Sequence, residues 1–251
     1  MVGRFGILTA FVLQHSTEQG QHTQQAALRP LAVLDIQGYL NVPTLYYAPD
    51  VVVYTNGLVI YQTANDLEPG GKRFKSVLIG AGEMRELLPP NQVAALFSGD
   101  SVLRDTAYVH PHAPFFVLDL WRDTLHTRVT VHGDPSMGSG AFAELVKRLS
   151  QFSSARAKPW VPDSIEVDLR HVGHECNPTD PVPWPAALPH PAQLADTTTI
   201  RFLIASRHLG RVKKLLKRHG NWDCTPVLLD GRWWGFSYDF PYPAQALWLK
   251  Q

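Results

Sequence analysis

Two runs of β-branched and aromatic residues flank an Asn-Gly pair in Val51-Val52-Val53-Tyr54-Thr55-Asn56-Gly57-Leu58-Val59-Ile60-Tyr61. No other stretch of the chain restricts its own conformation so tightly. Asn and Gly accept positive φ at low cost, and a two-residue type I′ turn needs positive φ at both central positions. The stretch is therefore read as a β-hairpin with Asn56-Gly57 as its turn.

The same logic extends outward. Strands are expected at residues 31–37, 44–48 and 74–79. The period then changes: Leu88-Pro89-Pro90 precedes apolar residues at Val93, Leu96 and Phe97, which reads as a short helix opened by proline. Strands resume at 114–121 and 125–132, joined at Asp123-Thr124. Ser139 is placed to cap a helix running to Phe152, with Phe142, Leu145, Val146 and Leu149 on one face. Residues 153–162 read as a boundary, and 165–169 as one more strand. Pro178, Pro181, Pro183, Pro185, Pro189 and Pro191 impose an extended passage, a surface strap that can bury Trp184 and Leu188. The chain then gives a strand at 199–205 and a helix at 207–219, with Gly220 at its C′ position. A final hairpin turns at Asp230-Gly231. Regular alternation of strand and helix is absent, which disfavours a doubly wound parallel sheet. The fold class is α+β: a β-rich, mainly antiparallel sheet with a few short helices and a smaller C-terminal β-α-β-β unit. The expected division is an arm at 1–29, a domain at 30–155 and a smaller unit at 156–251, the last two alternatively forming one domain.

Composition limits the function classes. Of 251 residues, 45% are hydrophobic and only 18% charged, so the chain can build a sizeable core and is not a disordered one. A net charge of +1 excludes a molecule that binds nucleic acid by bulk charge. No apolar run approaches the roughly 20 residues of a membrane-spanning helix. Arg4 followed by Phe5-Gly6-Ile7-Leu8-Thr9-Ala10-Phe11-Val12-Leu13 has the order of a short signal peptide, and equally that of a first strand or helix. Two cysteines, Cys176 and Cys224, are too few for a disulfide scaffold. They are read as structural, bridged or buried.

The Thr55–Ile60 hairpin, the helix opening at Leu88-Pro89, the Val182-Pro183-Trp184-Pro185 run and the terminal hairpin after a basic helix form a succession over residues 32–242. That succession resembles uncharacterised exported proteins of bacteria. The resemblance implies an envelope or extracellular setting, slightly favoured over the cytoplasm, and implies no activity.

Three groups of residues carry candidate chemistry. His171, His174 and Cys176, with Cys224 as a fourth ligand, have donor types suited to zinc, although the spacing matches no standard finger. His110-Pro111-His112 would put two imidazoles on one side of an extended segment, without a carboxylate beside them. Residues 200–220 hold seven cations and no acid. Arg207, Arg211, Lys214, Lys217 and Arg218 lie on a helix whose Leu209, Val212, Leu215 and Leu216 form the apolar stripe, so the basic face is a candidate binding surface. Carboxylates Asp119, Asp123, Asp163, Glu166 and Asp168 are candidates for pairing in space. Asp123 is better explained by a turn, and Glu166 and Asp168 by the solvent face of a strand. Met137-Gly138-Ser139-Gly140 reads as a helix cap in preference to an anion-binding turn. The leading expectation is a non-catalytic binding or structural protein with a protein partner. The alternatives are a hydrolase-like enzyme with a dispersed site, and a binder of nucleic acid or anionic surfaces through the helix at 207–218.

Overall fold

The computed structural model describes residues 28–37, 49–63, 73–98, 113–171, 182–191, 198–217 and 226–245. It is β-rich, with mainly antiparallel sheets and four short helices. A seven-stranded sheet has the order β6-β5-β1-β2-β3-β4-β7. Its strands are β1 (Pro30–Gln37), β2 (Val51–Tyr54), β3 (Leu58–Gln62), β4 (Phe74–Leu78), β5 (Phe115–Arg122), β6 (Leu125–His132) and β7 (Lys158–Trp160). A five-stranded sheet has the order β10-β8-β12-β11-β9, from β8 (Ser164–His171), β9 (Val182–Pro183), β10 (Thr199–Ala205), β11 (Pro226–Leu229) and β12 (Arg232–Asp239). Among the described residues only the β9–β11 pair is parallel. No helix among the described residues is long and apolar enough to cross a membrane.

At its central strands β1, β2 and β3 the larger sheet is buried on both faces. Ala32, Leu34, Val51, Val53, Val59 and Leu118 face helices α1 (Ala81–Leu87), α2 (Pro90–Ser98) and α3 (Gly140–Ser150), which contribute Leu87, Leu96, Phe142, Leu145, Val146 and Leu149. Val33, Val52, Tyr54, Ile60 and Phe74 face the other way, into a cluster shared with Ile165, Val167, Leu169, Trp234, Phe236 and Tyr238 of the smaller sheet. Helix α4 (Leu209–Lys217) adds Val212, Leu215 and Leu216 to that cluster, and the proline strap adds Trp184 and Leu188. Residues on either side of position 155 thus share one core, and β7 pairs with β4 at the edge of the larger sheet.

The central hairpin forms, with a different turn. Tyr54 O accepts from Gly57 N (3.0 Å), and of the turn residues only Gly57 has positive φ, +85°. Three residues, Thr55 to Gly57, therefore connect the strands in place of the expected two-residue type I′ turn; a tight turn followed by a left-handed glycine is the usual three-residue solution. Gly57 is required twice over. Its carbonyl accepts from Ile79 N (2.9 Å), and a Cβ on it would sit 2.4 Å from Ile79 O. The terminal hairpin turns at Asp230 and Gly231 with φ of 48° and 73°, as a type I′ turn requires. Asp123 also takes positive φ, 54°, which confirms its turn role.

Helix α3 begins as expected, with Ser139 Oγ accepting from Phe142 N (3.2 Å). Helix α1 is a departure, since no helix is expected before Leu88. It is short, buries only Leu87 and contains Gly82, so its apolar period is weak. Its ends are held by other means: Glu83 Oε2 accepts from Gly80 N (2.9 Å), Arg156 pairs with Glu83, and Arg148 donates to Glu86 O (2.9 Å). The expected boundary at 153–162 is likewise occupied in part by β7. The expected strand at 44–48, Gly220 and the segment 1–27 lie outside the described residues.

Two buried phenols tie the sheets together. Tyr54 Oη donates to Pro243 O (2.9 Å), and Tyr242 Oη donates to Pro49 O (2.8 Å). Burial holds both phenols well above the ordinary tyrosine range, because the phenolate would lose its hydration.

Two predictions follow from these contacts. Gly57→Ala should destabilise by more than about 1 kcal/mol, whereas Gly82→Ala, which meets nothing within 4 Å, should stabilise by about 0.5–1 kcal/mol. Urea unfolding of both variants measures the contrast. The raised phenol pKa values mean that the fold keeps protons which the unfolded chain releases. Their contribution is complete below a pH of about 10 and is lost as pH rises beyond it. A Tyr54→Phe/Tyr242→Phe variant should be less stable at neutral pH and lose less stability between neutral and strongly alkaline conditions, as read by circular dichroism.

Candidate functional site

Period-two alternation gives the smaller sheet one apolar and one polar face. Ile165, Val167 and Leu169 of β8 join the core with Ile200 and Ile204 of β10 and Trp234, Phe236 and Tyr238 of β12. The alternate residues form the outer face. There the register places Asp168 between Arg201 and Ser237, Arg170 between Thr199 and Gly235, and Glu166 between Leu203 and Asp239.

Asp168 is the centre of this face. Arg201 Nε donates to its Oδ2 (3.2 Å), Arg170 Nη2 lies 3.4 Å from the same oxygen, and Arg201 Nε stands 3.9 Å from Glu166 Oε1. Asp168 is 7% exposed and Ser237 1% exposed. Glu166 and Asp168 therefore share a face as expected, but Asp168 is not on a solvent face: cross-strand neighbours cover it. Asp168 Oδ1, Arg170 Nε and Ser237 Oγ are buried and make no hydrogen bond among the described residues. A buried polar group without a partner costs about 1–3 kcal/mol, and native folds rarely keep several together. Together the three atoms present an acceptor, a donor and a hydroxyl that can act as either.

A second polar cluster lies on the β5–β6 pair of the larger sheet. Asp119, 5% exposed, receives Arg128 Nε (2.8 Å) and Arg128 Nη2 (3.0 Å), and its Oδ1 lies 2.8 Å from His126 Nε2. The bond to Asp119 raises the Arg128 pKa further, so the cation is permanent. Trp121 stacks on His126 with centroids 4.7 Å apart. Both oxygens of Asp119 are engaged, so this carboxylate acts as a fixed counter-ion clamping two strands.

The basic residues expected to bind are only partly gathered. Arg207 and Lys214 are exposed at the start and on the outer side of the α4 region. Arg211 is used internally: its Nη1 donates to Ala187 O of the strap (3.1 Å) and lies 3.4 Å from His208 Nδ1. Lys217 ends α4, and Arg218 lies outside the described residues. Of the proposed zinc ligands, His171 sits at the end of β8 with its ring edge-on to Trp234, 5.9 Å away. His174, Cys176, Cys224, His110 and His112 lie outside the described residues. Among the described residues, no group of three or more His, Cys, Asp or Glu side chains is arranged to hold a metal ion.

Ser237 and Arg170 were not expected as site residues. The one signal for them in the sequence is the alternation itself, since Ser164, Glu166, Asp168 and Arg170 interleave with Ile165, Val167 and Leu169. Comparison with protein-family models, with curated proteins and with solved structures finds no match to this chain.

Asp119→Asn should destabilise the fold by about 2 kcal/mol, because it removes the charge from a buried carboxylate and leaves the half-exposed Arg128 with a weaker acceptor. Thermal unfolding at neutral pH tests this.

Proposed function

We propose that this chain is a non-catalytic binding protein whose recognition surface is the outer face of the five-stranded sheet. One observation carries the reading: three buried polar atoms without a hydrogen-bond partner among the described residues, on Asp168, Arg170 and Ser237, occupy neighbouring positions on two adjacent strands. A strand pair used only for stability would gain by replacing them with apolar groups. Keeping them costs stability, and proteins retain such costs where a ligand uses the groups.

A second reading, contact with phosphates through α4, is supported by the exposure of Arg207 and Lys214. It is the weaker of the two, because Arg211 is committed to the strap.

The leading reading makes a prediction that requires no ligand. Ser237→Ala removes a buried hydroxyl that has no partner in the fold, so it should leave stability unchanged or raise it by up to about 1–3 kcal/mol. Chemical denaturation of the variant decides the matter. A loss of more than about 1 kcal/mol would mean that the hydroxyl is satisfied internally and serves the fold.

A further inference from the structure

We infer that the outer face of the five-stranded sheet takes a neutral hydroxylated ligand, an oligosaccharide, with one sugar ring against Trp233 and the hydroxyls of a neighbouring ring on Asp168, Arg170 and Ser237. The inference rests on the binding reading and adds the ligand class.

Charge comes first. Charges of both signs interleave on this face, Glu166, Asp168 and Asp239 with Arg170 and Arg201, and Asp168 Oδ2 already faces both guanidinium groups. An anion would meet the free Asp168 Oδ1, and a cation would meet Arg170 and Arg201. A neutral group is therefore the best electrostatic match.

Hydrogen-bond type comes next. Asp168 Oδ1 needs a donor and Arg170 Nε an acceptor, while Ser237 Oγ accepts either role. A hydroxyl is donor and acceptor at once, and adjacent hydroxyls on one ring can serve all three groups.

The apolar part of the surface agrees. Trp233 is half-buried and belongs to the same face as Gly235 and Ser237, because Trp234, Phe236 and Tyr238 point into the core. It stands about 7 Å along β12 from Gly235. Gly235 is the cross-strand partner of Arg170 and brings no side chain into the space between. An indole bordering a row of polar groups suits a sugar ring, which has an apolar C–H face and a rim of hydroxyls.

Access depends on arginine. The Arg201 side chain is 59% exposed and its pair with Glu166 is of the surface type, whereas its partner Asp168 is only 10% exposed. Moving the guanidinium aside takes a charge-assisted bond from the Asp168 carboxylate, which a ligand hydroxyl donating to that carboxylate replaces.

The test is titration of the full chain with cellohexaose, chitohexaose, maltohexaose and mannohexaose, followed by calorimetry and by amide NMR. N-acetyl-trialanine amide, a neutral donor–acceptor without hydroxyls, is the control. The expected result is saturable binding of at least one saccharide, with shifts at the Gly235 and Ser237 amides of the wild-type chain. Trp233→Ala and Asp168→Asn should each weaken that binding by at least about tenfold. The wild-type amide shifts carry the test if Trp233→Ala fails to fold. The inference is overturned if no saccharide binds, if only the peptide amide binds, or if binding is indifferent to both substitutions and leaves the two amides unmoved. Failure here together with a stabilising Ser237→Ala would discard the saccharide and keep the binding face. A destabilising Ser237→Ala would discard the face itself.

Discussion

Val51, Val52, Val53 and Tyr54 are all buried, although successive residues of a strand point to opposite sides of its sheet. That double burial governs the architecture. A sheet that is apolar on both faces must be covered twice, and the chain does so with different materials. Helices α1, α2 and α3 take one side; the smaller sheet, α4 and the strap take the other. The apolar face of the smaller sheet is spent in this way. Its remaining face is the polar one, and it points outward.

The junction between the sheets is not a simple apolar contact. Phe74 packs edge-on against Trp160, Phe240 and Tyr242, at 5.9, 5.6 and 5.6 Å between centroids. The hydroxyls of Tyr54 and Tyr242 then reach backbone carbonyls of residues almost two hundred positions away in the chain. Aromatic edges and a few directional bonds set the orientation of the two sheets, where aliphatic packing alone would tolerate sliding. The orientation of the outer face relative to the larger sheet is set by these contacts.

The two polar clusters illustrate opposite uses of a carboxylate on a sheet. Asp119 has both oxygens occupied by Arg128 and His126, and it holds β5 to β6. Asp168 has one oxygen engaged and one without a hydrogen bond among the described residues. Both are nearly buried and both face arginine across a strand pair, so residue type does not separate them. Their roles differ in how far hydrogen-bonding capacity is satisfied inside the fold.

Much of the local structure was legible in the sequence because it rests on nearest-neighbour physics. The β-branched runs around Asn56-Gly57, the Asp230-Gly231 turn, the Ser139 cap and the period of Phe142, Leu145, Val146 and Leu149 each act over a few residues. The alternation in Ile165, Val167 and Leu169 likewise announced a two-faced strand. Elements held by distant partners were not legible. Helix α1 depends on Arg148 and Arg156, β7 on β4, and the turn at Gly57 on the approach of Ile79. The candidate site belongs to this second group. Asp168, Arg201 and Ser237 are dozens of residues apart and meet only through the antiparallel register of β10, β8 and β12. Sequence determined which residues would alternate along each strand. Tertiary structure alone decided which strands became neighbours, which face was covered, and therefore which polar atoms were buried without a partner, because burial depends on packing between segments that no local pattern encodes.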